Sequence, residues 1–179
     1  MSLHLFGVVR ATHEVPADRN VRLVVLDDLA AAVREAPVAA MPHFEALSAL
    51  VTTGPVVPVV FGTLAENEDA VRSDVLAPRA DDLRAQLDRL ADVVEVHVYL
   101  RLGAWTSADT ALEPVSALAE QAVELPSERQ EVRRAFLVPR RQLATARQAA
   151  EKAGGRFAGP LPAFSFLDTR QAPASRWGW

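Results

Sequence analysis

The ten residues VVEVHVYLRL, 93–102, limit the possible folds more than any other stretch of the chain. From Val94 onward apolar and polar side chains alternate there without a break. Val94, Val96, Val98, Leu100 and Leu102 take one side; Glu95, His97, Tyr99 and Arg101 take the other. A period of two belongs to a strand, since a helix would scatter both sets around its circumference. A strand this regular needs neighbours for its backbone and a layer over its apolar side. The chain must therefore build a sheet with something packed against it.

The rest of the pattern supplies those parts. LHLFGVVRA (3–11) is a strand of the buried kind. Residues 21–36, VRLVVLDDLAAAVREA, allow a hairpin around Asp27-Asp28 or a strand followed by a short Asp-capped helix; the brevity of the two halves favours the hairpin. MPHFEALSALV (41–51) sets Phe44, Leu47 and Val51 at helical spacing, tolerates Pro42 in its first turn, and stops at Gly54-Pro55. VVPVVFG (56–62) is the next strand. Asn67 then caps an acidic first turn, Glu68-Asp69. Val71, Val75 and Leu76 give that helix an apolar face until Pro78 breaks or kinks it, and Leu83, Leu87 and Leu90 mark a second helix over about 79–91.

After the 93–102 strand, a helix is expected over 110–124, with Val115, Leu118 and Ala122 in one stripe. A strand over 130–138 and a helix over 141–153, stopped by Gly154-Gly155, follow. GPLPAFSFLD (159–168) closes the series. Gly159 and Pro160 are expected to set a turn, and Pro162 to lie where no ladder donor is needed. FSFL then forms a strand with Phe164 and Phe166 on the same side. This is an α+β arrangement of two small units, 1–77 and 78–179, joined near the 79–91 helix.

Composition removes several classes of function. The net charge is −4, which gives nucleic-acid binding no electrostatic support. There are no cysteines, hence no disulfide, thiol nucleophile or Cys-based metal site, as suits a reducing cytosol. No apolar run approaches the roughly 20 residues of a membrane span, and MSLHLFGVVRATHE lacks the make-up of a signal peptide. A cytoplasmic protein without membrane contact is expected.

Motifs of catalysis are missing as well. The four histidines, at 4, 13, 43 and 97, share no metal-ligand spacing, and neither a phosphate-binding glycine loop nor a nucleophile elbow occurs. No catalytic, cofactor or metal residue is expected. The one tempting constellation is Glu95, His97 and Tyr99, about 7 Å apart along one strand face, where a carboxylate next to an imidazole suits acid–base work or a small ligand. A solvated or interdomain sheet face explains the same residues. Arg133-Arg134 and Arg140-Arg141 read as surface partners of Asp and Glu. RWGW at the end, with Trp177 and Trp179, suits either a partner anchor or a frayed terminus.

Several stretches, taken in order, carry a resemblance. They are a helix holding His43, then VVPVVFGTL, VVEVHVYL, RRAFLVPR and finally GPLPAFSF. The series resembles the gas vesicle protein F/L family, whose strand of the type v-l-P-l-R-F-G-t follows a histidine-bearing helix. In that family a glutamate opens a central strand and G-P-W-P-P-Y-s-F ends the fold. Pro58, Phe61, Gly62, Glu95, Ala135, Phe136, Leu137, Val138, Gly159, Pro160, Pro162, Ser165 and Phe166 occupy matching positions. Val60, Leu161, Ala163 and Phe164 depart from the pattern, and GAWTSADT stands where the family's helical insertion usually lies.

The resemblance implies an N-terminal α/β domain, with a mixed sheet and helix, and a ferredoxin-like C-terminal domain. It also implies a non-enzymatic accessory or minor structural protein that acts in nucleation and assembly of gas vesicles. The partners implied are the hydrophobic shell protein and other vesicle accessory proteins, with no nucleic acid, membrane or small-molecule substrate. Phe164, Trp177 and Trp179 are candidate contact residues. A ligand-binding or acid–base enzyme using Glu95, His97 and Tyr99, or a dimerisation module, are the rival readings.

Overall fold

The computed structural model describes residues 2–103, 107–127 and 130–167. These form two units, one made of the described residues through Ala91 together with Leu167, the other running Asp92–Phe166. Trp177 and Trp179 lie outside the described residues.

The first unit is built around β1 (Leu3–Arg10), which is buried from Leu3 to Val9. Its run of apolar residues does not alternate because both faces are covered. β2 (Arg22–Leu26) and β3 (Leu29–Glu35) form the expected hairpin, with Asp27 in the left-handed region at φ 53°. α1 (Ala40–Thr53) follows, then β4 (Val57–Pro58) and β5 (Leu64–Ala65). The sheet order is β2-β3-β1-β4, with β5 also on β1. Every pairing is antiparallel, so the sheet expected to be mixed alternates in strand direction throughout. On one face His4 and Phe6 meet α1 through His43. Toward the other, Leu3, Leu5 and Val8 join a core completed by Val71, Leu76, Leu83 and Leu87.

Those last residues come from a continuous helical run. Asn67 caps α2 (Glu68–Ala70) by accepting the Ala70 N–H at 2.9 Å. The run continues through a π segment (Val71–Leu76) and a 3₁₀ turn (Ala77–Arg79) into α3 (Ala80–Arg89). Pro78 makes the run irregular without ending it. Because Leu83 and Leu87 complete the first unit's core, the change of unit falls at Ala91/Asp92 and not at 77/78.

The second unit contains β6 (Val93–Arg101), α4 (Ala108–Ser116), β7 (Gln121–Leu125), β8 (Glu131–Pro139), α5 (Leu143–Lys152) and β9 (Arg156–Leu161). Its sheet is antiparallel in the order β7-β8-β6-β9. The apolar side of β6 is buried as the alternation requires.

Three expectations change here. The helix expected over 110–124 ends at Ser116, and Gln121–Leu125 is an exposed edge strand on β8. Pro114 lies within the shortened helix, and Leu118 and Ala122 fall beyond its end and leave the stripe. Of VVPVVFG only Val57–Pro58 pairs, and Gly62 turns the chain at φ 93°. In the closing segment the strand comes earlier than expected. Gly159 and the cis-linked Pro160 lie inside β9, while Phe164 and Phe166 belong to a turn in which Phe164 N–H donates to Pro162 O and Phe166 N–H to Ala163 O.

Candidate functional site

Helix α1 buries His43, Ala46, Leu47, Leu50 and Val51. Phe44, expected on the inner stripe, is 47% exposed, because the buried arc is centred one position earlier, on His43. His4 enters the same place from β1, between two core leucines. The Nε2 of His4 lies 2.8 Å from Nδ1 of His43, so one ring donates its proton and the other accepts it. Burial keeps both imidazoles neutral. His4 is pulled down to about 4, first by desolvation and then by His43 and Arg34, and desolvation lowers His43 as well. The Nε2 of His43 is buried without a hydrogen-bond partner.

Aromatic rings enclose this pair. Phe6 stacks on His43 with centroids 5.4 Å apart, Phe44 meets it edge-on at 5.3 Å, and Phe61 lies 5.4 Å from His43 and 5.7 Å from His4. Phe44 and Phe61 are each close to half exposed. Met41, one helical turn before Phe44, and Val60 and Leu64, flanking Phe61, are more exposed still. Five of the seven large apolar side chains exposed among the described residues thus belong to these two segments. Of the motif residues, Pro58 is buried opposite Gly7, Phe61 supplies a ring, and Gly62 sets the turn that presents it. A positive φ suits glycine, and no atom crowds the space a Cβ would take.

The second cluster is the polar row of β6. Glu95 is 1% exposed rather than solvated. Its carboxylate accepts from Ser165 N–H at 2.9 Å, Ser165 Oγ–H at 2.6 Å and His97 Nε2–H at 2.5 Å. Arg133 Nη2 donates to His97 Nδ1 at 3.2 Å, which leaves Nε2 as the protonated nitrogen that faces Glu95. The chain Arg133–His97–Glu95–Ser165 ties the closing turn to the central strand. Phe166 beside it is 6% exposed, and Phe164 is half-buried. Gly159 lies against β6, where a Cβ would sit 2.7 Å from Val96 Cγ1 with φ at +154°. Pro162 is buried just after β9. Glu95 and, 70 residues on at Ser165, the closing segment with Gly159 and Phe166 are thus one structural joint.

Tyr99 lies further along the same row, with Arg133 and Arg156 over its ring at 5.3 and 4.3 Å from the centroid. Of the arginines read as partners of acids, Arg134 does pair with Asp109 at 2.8 Å, whereas Arg133 takes His97 and Tyr99 instead. Among the described residues no group of three or more His, Asp or Glu side chains is arranged to hold a metal. None of the described helices is long and apolar enough to cross a membrane.

The sequence offered no sign of the His4–His43 contact, because the residues are 39 apart and each stands alone in an apolar run. The only available signal was an imidazole in each of two segments otherwise built for a core.

A family model described as gas vesicle synthesis protein GvpL/GvpF matches residues 2–104. The fold is similar to the crystal structure of the gas vesicle protein GvpF from Anabaena sp. PCC7120, with TM-score 0.77, 16% identity, and coverage of 92% of this chain and 95% of that one. It is also similar to that of GvpF from Microcystis aeruginosa, with TM-score 0.74, 14% identity, and coverage of 92% and 98%. No curated protein sequence matches the chain.

Proposed function

This chain belongs to the gas vesicle synthesis protein GvpL/GvpF family and has an accessory or structural role in gas vesicle assembly; from that premise we propose that its first unit covers an apolar segment of the vesicle shell protein. One observation carries the reading. Met41, Phe44, Val60, Phe61 and Leu64 hold apolar surface in water around a buried histidine pair. Surface of that kind on a soluble domain marks a place for a partner. A shell subunit that must face gas carries apolar surface of its own and aggregates unless it is covered before assembly. Aromatic rings held by a rigid floor suit that task, since they lose little freedom on binding.

The protein acts in the cytoplasm and at the growing vesicle, without an enzymatic step. The burial of the Glu95 carboxylate under Ser165 supports this over an acid–base or small-ligand reading, because its acceptor sites are used by the fold. We read the second unit as ferredoxin-like, a reading supported by its strand–helix–strand–strand–helix–strand order and its β7-β8-β6-β9 sheet.

The test is the double variant Phe44→Ser/Phe61→Ser, assayed for binding to the shell protein and for vesicle formation. Both should be lost while the melting midpoint stays near that of the parent. Undiminished binding by a folded double variant would exclude this surface.

A further inference from the structure

We propose that the outer half of the β6 polar row is a docking site for an acidic, extended segment of a partner protein, gripped by Arg101, Arg133 and Arg156 around Tyr99. The site belongs to the second unit and uses none of the residues assigned to the apolar partner.

The register places these groups together. Tyr99 stands opposite Arg133 on β8 and opposite Arg156 on β9, and Arg101 stands opposite Glu131. Directly opposed residues of antiparallel strands share a face, so all five side chains share one. Two guanidiniums are held by a single phenol ring, an arrangement that fixes their planes but does not neutralise their charge. Glu131 is the one carboxylate seen with them among the described residues, at 3.9 Å from Arg156 and beyond hydrogen-bonding reach. Glu95, on the same face, is already engaged by Ser165 and His97. The Nε of Arg133 is buried and has no hydrogen-bond partner, although its Nη2 is used. Arg101 is exposed, and the Arg156 side chain is 73% exposed.

Three cations thus face one loosely held carboxylate in a protein whose net charge is negative. Spacing selects the ligand. Arg101 lies two residues along β6 from Tyr99, about 7 Å from backbone to backbone. The same distance separates alternate side chains of an extended peptide, so a segment with acids at every second residue meets both the Arg133–Arg156 pair and Arg101. The Tyr99 ring offers apolar contact between them.

The full chain should be titrated, with fluorescence anisotropy as the readout, against a labelled peptide in which glutamate alternates with threonine. The same peptide with glutamine for glutamate, and inorganic pyrophosphate, serve as the other two probes. The acidic peptide is expected to bind in a salt-sensitive way and the glutamine peptide not to bind. The double variant Arg101→Gln/Arg156→Gln should weaken binding at least tenfold with an unchanged melting midpoint, because both side chains are exposed. Arg133→Lys should weaken it too, since an ammonium cannot reproduce the fork. Equal binding of both peptides, or no effect of the double variant, would overturn the proposal. Pyrophosphate binding without peptide binding would overturn it as well and mark a small-anion site.

Discussion

Glu95→Gln is the sharpest probe of the joint that closes the second unit. Glutamine keeps the shape of the side chain but exchanges one acceptor oxygen for an NH₂ donor. Glu95 Oε1 receives both the Ser165 hydroxyl and His97 Nε2–H, and Oε2 receives the Ser165 backbone N–H. The amide oxygen will settle at the doubly bonded position, so the NH₂ group faces the Ser165 N–H. One buried donor is then unsatisfied, which costs about 1–3 kcal/mol. The two bonds that remain lose their charge assistance and fall to roughly half their strength. The total is about 2–4 kcal/mol, a large share of the 5–15 kcal/mol typical of a folded protein.

Urea denaturation measures that loss, and hydrogen exchange at the Ser165 amide localises it. Ser165→Ala alone removes only the hydroxyl bond to the carboxylate and should cost about 1.5–3 kcal/mol. In the double variant the losses should be less than additive, since both substitutions act on one group. A Glu95→Gln curve that overlays the parent, with Ser165 still protected, would refute the joint.

Stability should fall in mild acid because of the His4–His43 pair. Folding holds His4 at about 4 against an ordinary 6.5, so between these values the unfolded chain binds more protons and stability rises with pH. The contribution is complete above about 6.5 and lost as pH falls toward 4, about 3 kcal/mol for His4 alone, and His4→Gln should flatten the dependence in denaturation curves taken across that range. Phe166→Ala should cost about 3–5 kcal/mol through lost burial and a cavity; an unchanged denaturation midpoint would make this ring a contact residue instead. Gly62→Val should lower stability by about 1–3 kcal/mol from backbone strain alone, since no atom lies near the new Cβ, and an unchanged melting midpoint would contradict the positive φ.

Local chemistry determined a good part of this protein without help from the fold. The alternation of 93–102 required a strand with one buried side, and β6 is that strand. Asn67 before Glu68-Asp69 required a helix start, and its side chain caps one. Two short apolar arms around Asp27-Asp28 favoured a hairpin over a strand and short helix, and the hairpin forms. In each case the deciding interaction lies within a few residues, so the sequence pattern contains it.

Other features were decided by groups that meet only in three dimensions. Gln121–Leu125 has nothing locally strand-like beyond Val123, and pairing with β8 makes it a strand. Periodicity placed Glu95 on a polar face, but only the return of Ser165, 70 residues later, buries that carboxylate. Phe44 and His43 are neighbours on one helix, and the docking of α1 over β1 decided which of them is inside. A period records which side chains share a face. Whether that face meets core, water or another polar group depends on chain closure over tens of residues, whose entropic cost only the assembled core offsets.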